Sequence, residues 1–268
     1  LHYPLRRQRQ MCIRDSVRMA KFIYSFSIIL FGLLSGYCIQ ILVQRGRLYL
    51  PMPIDDLRKL LQKTALLFVN PIAIVGAIWV VSINNVRLAA LPFNGLFALL
   101  SGGILALLAA RLLALEPRKT GAMFGCGSFT NIGSIGALIC FVFLGETGFA
   151  LVPIYKLFEE LSYYSVGFPI AKYYSSSGKD EQISQRLKGL ARDPFIIVAL
   201  SSIILGGILN FSGVMRPTVF KSIVAVCVPL GTILLLASIG MALKFRRVRD
   251  YMKECVAVSL IKFLSLIH

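Results

Sequence analysis

Three charged side chains stand together in an otherwise apolar stretch: Lys156, Glu159 and Glu160, between Phe149 and Tyr174. On insertion scales a charge at bilayer depth costs at least about 2.5–3.5 kcal/mol, so such groups face an interior and pair. Lys156 reaches Glu159 at i+3 and Glu160 at i+4 on one helical face, which leaves one carboxylate over. That carboxylate can carry or gate a coupling proton; the alternative is a structural triad that fixes helix packing. A second cluster lies just upstream, where residues 121–136 read GAMFGCGSFTNIGSIG. Glycines with Ser, Thr and Asn at bilayer depth make a poor continuous helix. Unwound backbone is tolerated there only where it is buried in protein or lines a cavity. N–H groups freed at a half-helix N-terminus, with Thr130 and Asn131 as donors and Gly133 and Gly136 as backbone approaches, suit a carboxylate. The alternative is close helix packing through Gly125, Gly133 and Gly136.

The elements that must hold these groups are apolar helices. The 268 residues are 57% hydrophobic and 15% charged, with mean hydropathy +0.76. A soluble domain of this length needs more polar residues to cover its surface. Eight stretches are apolar for long enough to cross a hydrocarbon core, near 22–43, 60–82, 88–114, 122–144, 147–172, 194–211, 219–243 and 252–266. They are too long, and alternate too little, for β-barrel strands. The net charge of +17 does not indicate nucleic acid, because Lys and Arg gather in every second connection between spans. Arg45, Arg47, Arg58 and Lys59 follow the first span; Arg111, Arg118 and Lys119 the third; Lys172, Lys179, Arg186, Lys188 and Arg192 the fifth; Lys244, Arg246, Arg247, Arg249 and Lys253 the seventh. The even connections hold Arg87, then no basic residue in 145–147, then Arg216 and Lys221. The positive-inside rule therefore puts the odd connections in the cytoplasm and the N-terminus outside, in a bacterial-type plasma membrane. Arg18 and Lys21 run mildly against that orientation.

Spans two and seven share punctuation. Lys63 precedes Pro71 by eight residues, with Asn70 just before the proline, and Lys221 precedes Pro229 by eight. Proline inside a helix removes a hydrogen bond and kinks or breaks it, so breaks are expected at Asn70-Pro71 and at Pro229. Spans five apart enter the membrane from opposite sides, the arrangement of inverted repeats in secondary carriers.

Thr130-Asn-Ile-Gly-Ser-Ile-Gly136 resembles the Asn-x-Gly-x-x-Gly-x-Pro signature in the fourth span of the auxin efflux carrier family, which includes bacterial malate and malonate permeases. Gly145-Glu-Thr-Gly148 resembles that family's short turn, and Val228-Pro229-Leu230 with Gly240 resembles its seventh span. The resemblance covers roughly 22–263. It implies an all-α polytopic membrane protein of inverted five-helix repeats with broken crossover helices, about eight of ten spans being present. Asn131, Gly133 and Gly136 fall on the signature, while its proline position is Leu138 here. By this reading residues 17–174 form the first repeat, 175–192 a cytoplasmic linker and 193–263 an incomplete second repeat. The strings at 1–16 and 264–268 resemble translated adapter read-through and are set aside as non-native tails.

Both histidines, His2 and His268, lie in those tails, so the core offers no imidazole for catalysis or metal. Cys38, Cys126, Cys140, Cys227 and Cys255 are scattered singly, as small packing residues. No cofactor and no metal are expected, and an intramembrane enzyme is the weakest reading. Two readings stand: a secondary active transporter of a small organic anion such as a carboxylate, working by alternating access, and a non-transporting sensor or scaffold on a carrier-like fold. Partners under the first are the anion, a coupling proton or sodium ion and membrane lipid, with a homodimer left open.

Overall fold

The computed structural model describes residues 3–81, 86–174 and 192–265. The described residues are helical, with no strand among them: α1 (Tyr3–Gln44), α2 (Ile54–Thr64), α3 (Asn70–Ile78), α4 (Leu91–Leu112), α5 (Pro117–Ser128), α6 (Ala137–Tyr155), α7 (Glu159–Ser162), α8 (Phe168–Tyr174), α9 (Pro194–Phe211), α10 (Val219–Gly240) and α11 (Met252–Ser265). The expected linker at 175–192 lies almost wholly outside the described residues, as does the Glu160 side chain.

Among the described residues six helical stretches are long and apolar enough to cross a membrane: Ser16–Gln44, Ile54–Ile78, Leu88–Leu112, Pro117–Tyr155, Pro194–Phe211 and Val219–Gly240. Their large side chains point outward, Phe31, Phe97 and Ile208 being 61%, 66% and 60% exposed, while Ala73, Ala106 and Ser238 are wholly buried. Small residues inside and large apolar ones outside is the pattern of helices that pack on one another in lipid. The chain is an all-helical integral membrane protein. The expected fifth span, 147–172, is not one continuous helix, being interrupted after Tyr155. The expected boundary near 145–147 falls at Gly145, whose φ of 71° takes the chain out of helical geometry inside α6.

The chain divides into two compact units that are interleaved in sequence: Leu1–Val81, Ser134–Ala150 and Gly206–Leu243 form the first, and Ser82–Gly133, Leu151–Leu205 and Lys244–His268 the second. In the first unit α1 and α10 run parallel in close contact. A Cβ on Gly36 would lie 2.0 Å from the Ala237 carbonyl oxygen, and one on Gly240 2.2 Å from that of Leu33. Against the α2–α3 span α10 runs antiparallel: Arg58 donates to the Ser238 carbonyl (3.1 Å) and Gln62 to its hydroxyl (3.0 Å) at one end. Midway, the Asn70 side chain faces Gly231, and Gly76 faces Val224 further along.

Neither proline ends its helix as expected. Before Pro71 the chain widens into a π-turn, Ala65–Val69, and continues directly as α3. Opening one turn accommodates the missing donor and the ring without a break. α10 runs uninterrupted through Pro229 from Val219 to Gly240. The two expected breaks are therefore a local bulge and an accommodated proline.

The fourth and sixth connections meet the end of α3 in this unit. Asn210 donates to the carbonyls of Ile78 (3.0 Å), Trp79 (2.8 Å) and Val81 (2.8 Å), capping the end of α3. Trp79 donates its indole N–H to the Val214 carbonyl at 2.9 Å. Arg216 pairs with Glu146 and donates to the Gly76 carbonyl at 2.7 Å, and both charged side chains are largely buried. Charge counting registered Arg216 only as a minor exception on that side. Asn210→Leu leaves those carbonyls without this donor and is expected to cost about 1–3 kcal/mol, read as a lower unfolding temperature in detergent.

The second unit is built on α4 and α5, antiparallel and tightly apposed. A Cβ on Gly127 would lie 2.3 Å from that of Ala106, and one on Gly102 2.5 Å from the Gly127 carbonyl oxygen. α11 joins through Ile261, which packs with Ala106, Ala110 and Met123 in a buried apolar cluster.

Candidate functional site

The site begins where α5 stops. Ser128 is its last residue, and Phe129 turns extended (φ −85°, ψ 144°) with its N–H still on the Gly125 carbonyl at 3.1 Å. Thr130 and Asn131 lie outside any helix with exposed side chains, then Ile132–Gly136 forms a π-turn leading into α6. Glycines at 125, 127, 133 and 136 disfavour a continuous helix here. The interruption therefore sits inside the 39-residue apolar stretch Pro117–Tyr155, with backbone donors and acceptors freed within it.

A second interruption follows, one that the sequence reading missed. Lys156, Leu157 and Phe158 form a turn between α6 and α7, rather than the middle of a continuous span. The spacing Lys156–Glu159 nevertheless serves its pairing: Nζ and Oε2 are 3.5 Å apart, with 26% and 18% of the two side chains exposed.

The two interruptions come together within the second unit. A Cβ on Gly133 would stand 3.0 Å from the Lys156 Nζ, so the ammonium lies against the Gly133 backbone in space that only glycine leaves open. The Phe129 ring packs edge-on to Tyr163, centroids 5.0 Å apart, and against Gly167. Both partners belong to the π-turn Tyr163–Gly167 that follows α7. Beneath the first interruption, Lys262 of α11 donates from Nζ to the Gly127 carbonyl in the last turn of α5. Ser128 Oγ is buried with no hydrogen-bond partner, an unsatisfied polar atom at the point where the helix ends.

Of the residues expected to serve function, Thr130, Asn131, Gly133, Lys156 and Glu159 thus belong to one unit, where Lys156 meets both Gly133 and Glu159. Gly136, Asn70, Pro71 and Pro229 belong to the other. There Thr232 donates to the carbonyls of Val228 (3.0 Å) and Ser134 (3.3 Å), fastening the π-turn to α10. Lys262 was not foreseen; the available signal was one cation in an apolar run.

Chemically, among the described side chains two ammonium groups and one carboxylate flank a helix interruption with accessible Thr and Asn side chains. Among the described residues no group of His, Cys, Asp and Glu could hold a metal ion. The arrangement suits reversible binding of an anion. Comparison with known proteins finds no matching family model, no matching curated protein and no matching solved structure.

Proposed function

We propose that this protein is a secondary active transporter of a small organic anion, a mono- or dicarboxylate, bound at the interruption around Thr130–Gly133. The observation that carries the reading is the Lys156 ammonium held against the Gly133 backbone where an apolar span is broken. Broken helices of this kind form the sites of alternating-access carriers, half-helix N-termini facing the substrate's anionic groups. Lys156 adds a full charge in a setting of reduced solvent, where charge-assisted hydrogen bonds are strongest. Glu159 is placed to hold Lys156 when the anion is absent, and Glu159 or Glu160 to carry a coupling proton.

Membership of the auxin efflux carrier family, inverted repeats, an outside N-terminus and a bacterial plasma membrane belong to the same proposal. The shared punctuation of spans two and seven, their antiparallel packing and the basic odd connections support it. Radiolabelled malate, malonate or an indole carboxylate, offered to vesicles containing the protein, should show saturable flux driven by a proton or sodium gradient. No flux of any of them under any gradient would sink the carrier reading in favour of a sensor or scaffold.

A further inference from the structure

We propose that the Lys262 ammonium is a tethered cation occupying a monovalent-cation site at the C-terminal end of half-helix α5. A helix that stops inside a membrane protein presents its last carbonyls, at the negative end of its macrodipole, without ladder partners. In a continuing helix the Gly127 carbonyl would take the N–H of Asn131, but Asn131 has left the helix. Carbonyl ends of this kind hold the coupling sodium in carriers with discontinuous helices. Here the Gly127 carbonyl takes the Lys262 Nζ.

Two features separate this lysine from one that snorkels to the membrane surface. Its neighbour Ile261 is buried in the cluster with Ala106, Ala110 and Met123, so this stretch of α11 faces protein. Its ammonium lies on a carbonyl of a buried glycine whose far side is closed by α4 at Gly102. An ammonium matches sodium in charge and offers three donors where sodium would take oxygen ligands. The chain thus supplies its own cation, and the wild-type site has no need of a free one.

Removing the charge should vacate the site for a free ion. The test compares unfolding of the purified wild type, Lys262→Ala and Lys262→Gln in sodium, potassium or choline chloride at equal ionic strength. The wild type is expected to unfold at one temperature in all three salts. Lys262→Ala should unfold lower in choline and recover by about 3–5 °C in saturating sodium or potassium. Lys262→Gln, whose neutral amide can donate to the Gly127 carbonyl but is displaced by a cation, guards against a variant that fails to fold, and should show a smaller recovery in the same direction. Equal unfolding temperatures in all salts for both variants would overturn the proposal, as would a sodium-specific shift in the wild type.

A second arm rests on the transport reading with the proton as the coupling ion: in vesicles Lys262→Ala should make anion flux sodium- or potassium-dependent by about tenfold, where proton-driven wild-type flux is indifferent to both. An absence of wild-type flux would fail that reading alone and leave the unfolding result to decide the cation site.

Discussion

Lys156→Gln is expected to lower anion flux by roughly 10- to 150-fold while the protein still reaches the membrane. Hydrogen bonds to a charged group contribute about 1.5–3 kcal/mol, which converts to that range. The substitution also deprives Glu159, only 18% exposed, of its described partner. Part of the loss is therefore one of stability. The double variant Lys156→Gln/Glu159→Gln separates the effects: it should recover the unfolding temperature without recovering flux. Gly133→Ala should act more mildly, by severalfold, because its new Cβ meets the movable end of a lysine at 3.0 Å rather than backbone. Glu159→Gln alone should alter the pH dependence of flux if Glu159 carries the coupling proton. An unchanged profile there and in Glu160→Gln would assign both carboxylates to structure.

The second large effect is on folding. Gly36→Leu should abolish recovery of folded protein, since even its Cβ would fall 2.0 Å from the Ala237 carbonyl oxygen, and neither backbone can yield without parting α1 from α10. Overpacking in an adaptable core costs about 1–3 kcal/mol, and rigid backbone on both sides puts this case at or beyond the upper end. Gly207→Ala is the matched control: it lies in α9 with nothing within 4 Å of the new Cβ. Its expected effect is within about 1 kcal/mol, toward greater stability, since alanine is the better helix former. Unfolding temperature and yield after detergent extraction read both. A well-folded Gly36→Leu protein would contradict the packing of α1 on α10.

The helical membrane class was legible because long apolar runs have few other solutions. The interruption at 129–131 was legible too, since clustered glycines beside Thr130 and Asn131 weaken a helix wherever they stand. Proline was a poorer guide. Pro71 and Pro229 each remove a donor, but a π-turn at Ala65–Val69 accommodates the first, and α10 carries the second without interruption. The turn at 156–158 was hidden because i, i+3 and i+4 spacing fits a continuous helix equally well. Lys262, Asn210 and the pair Arg216–Glu146 could not be read at all. Their partners stand 135, 129–132 and 70 residues away, and no local pattern encodes such contacts.

The central claim is that the broken span and Lys156 together hold an anion. Equilibrium binding of radiolabelled malate, malonate and an indole carboxylate to the purified protein tests it most directly, comparing wild type with Lys156→Gln and with Lys119→Gln. The last is a control whose lysine pairs with Glu254 and stacks near Tyr251, away from the interruption. Saturable binding of at least one anion by the wild type and by Lys119→Gln, weakened at least about tenfold in Lys156→Gln, is the predicted result. Equal affinity in all three proteins would contradict the account.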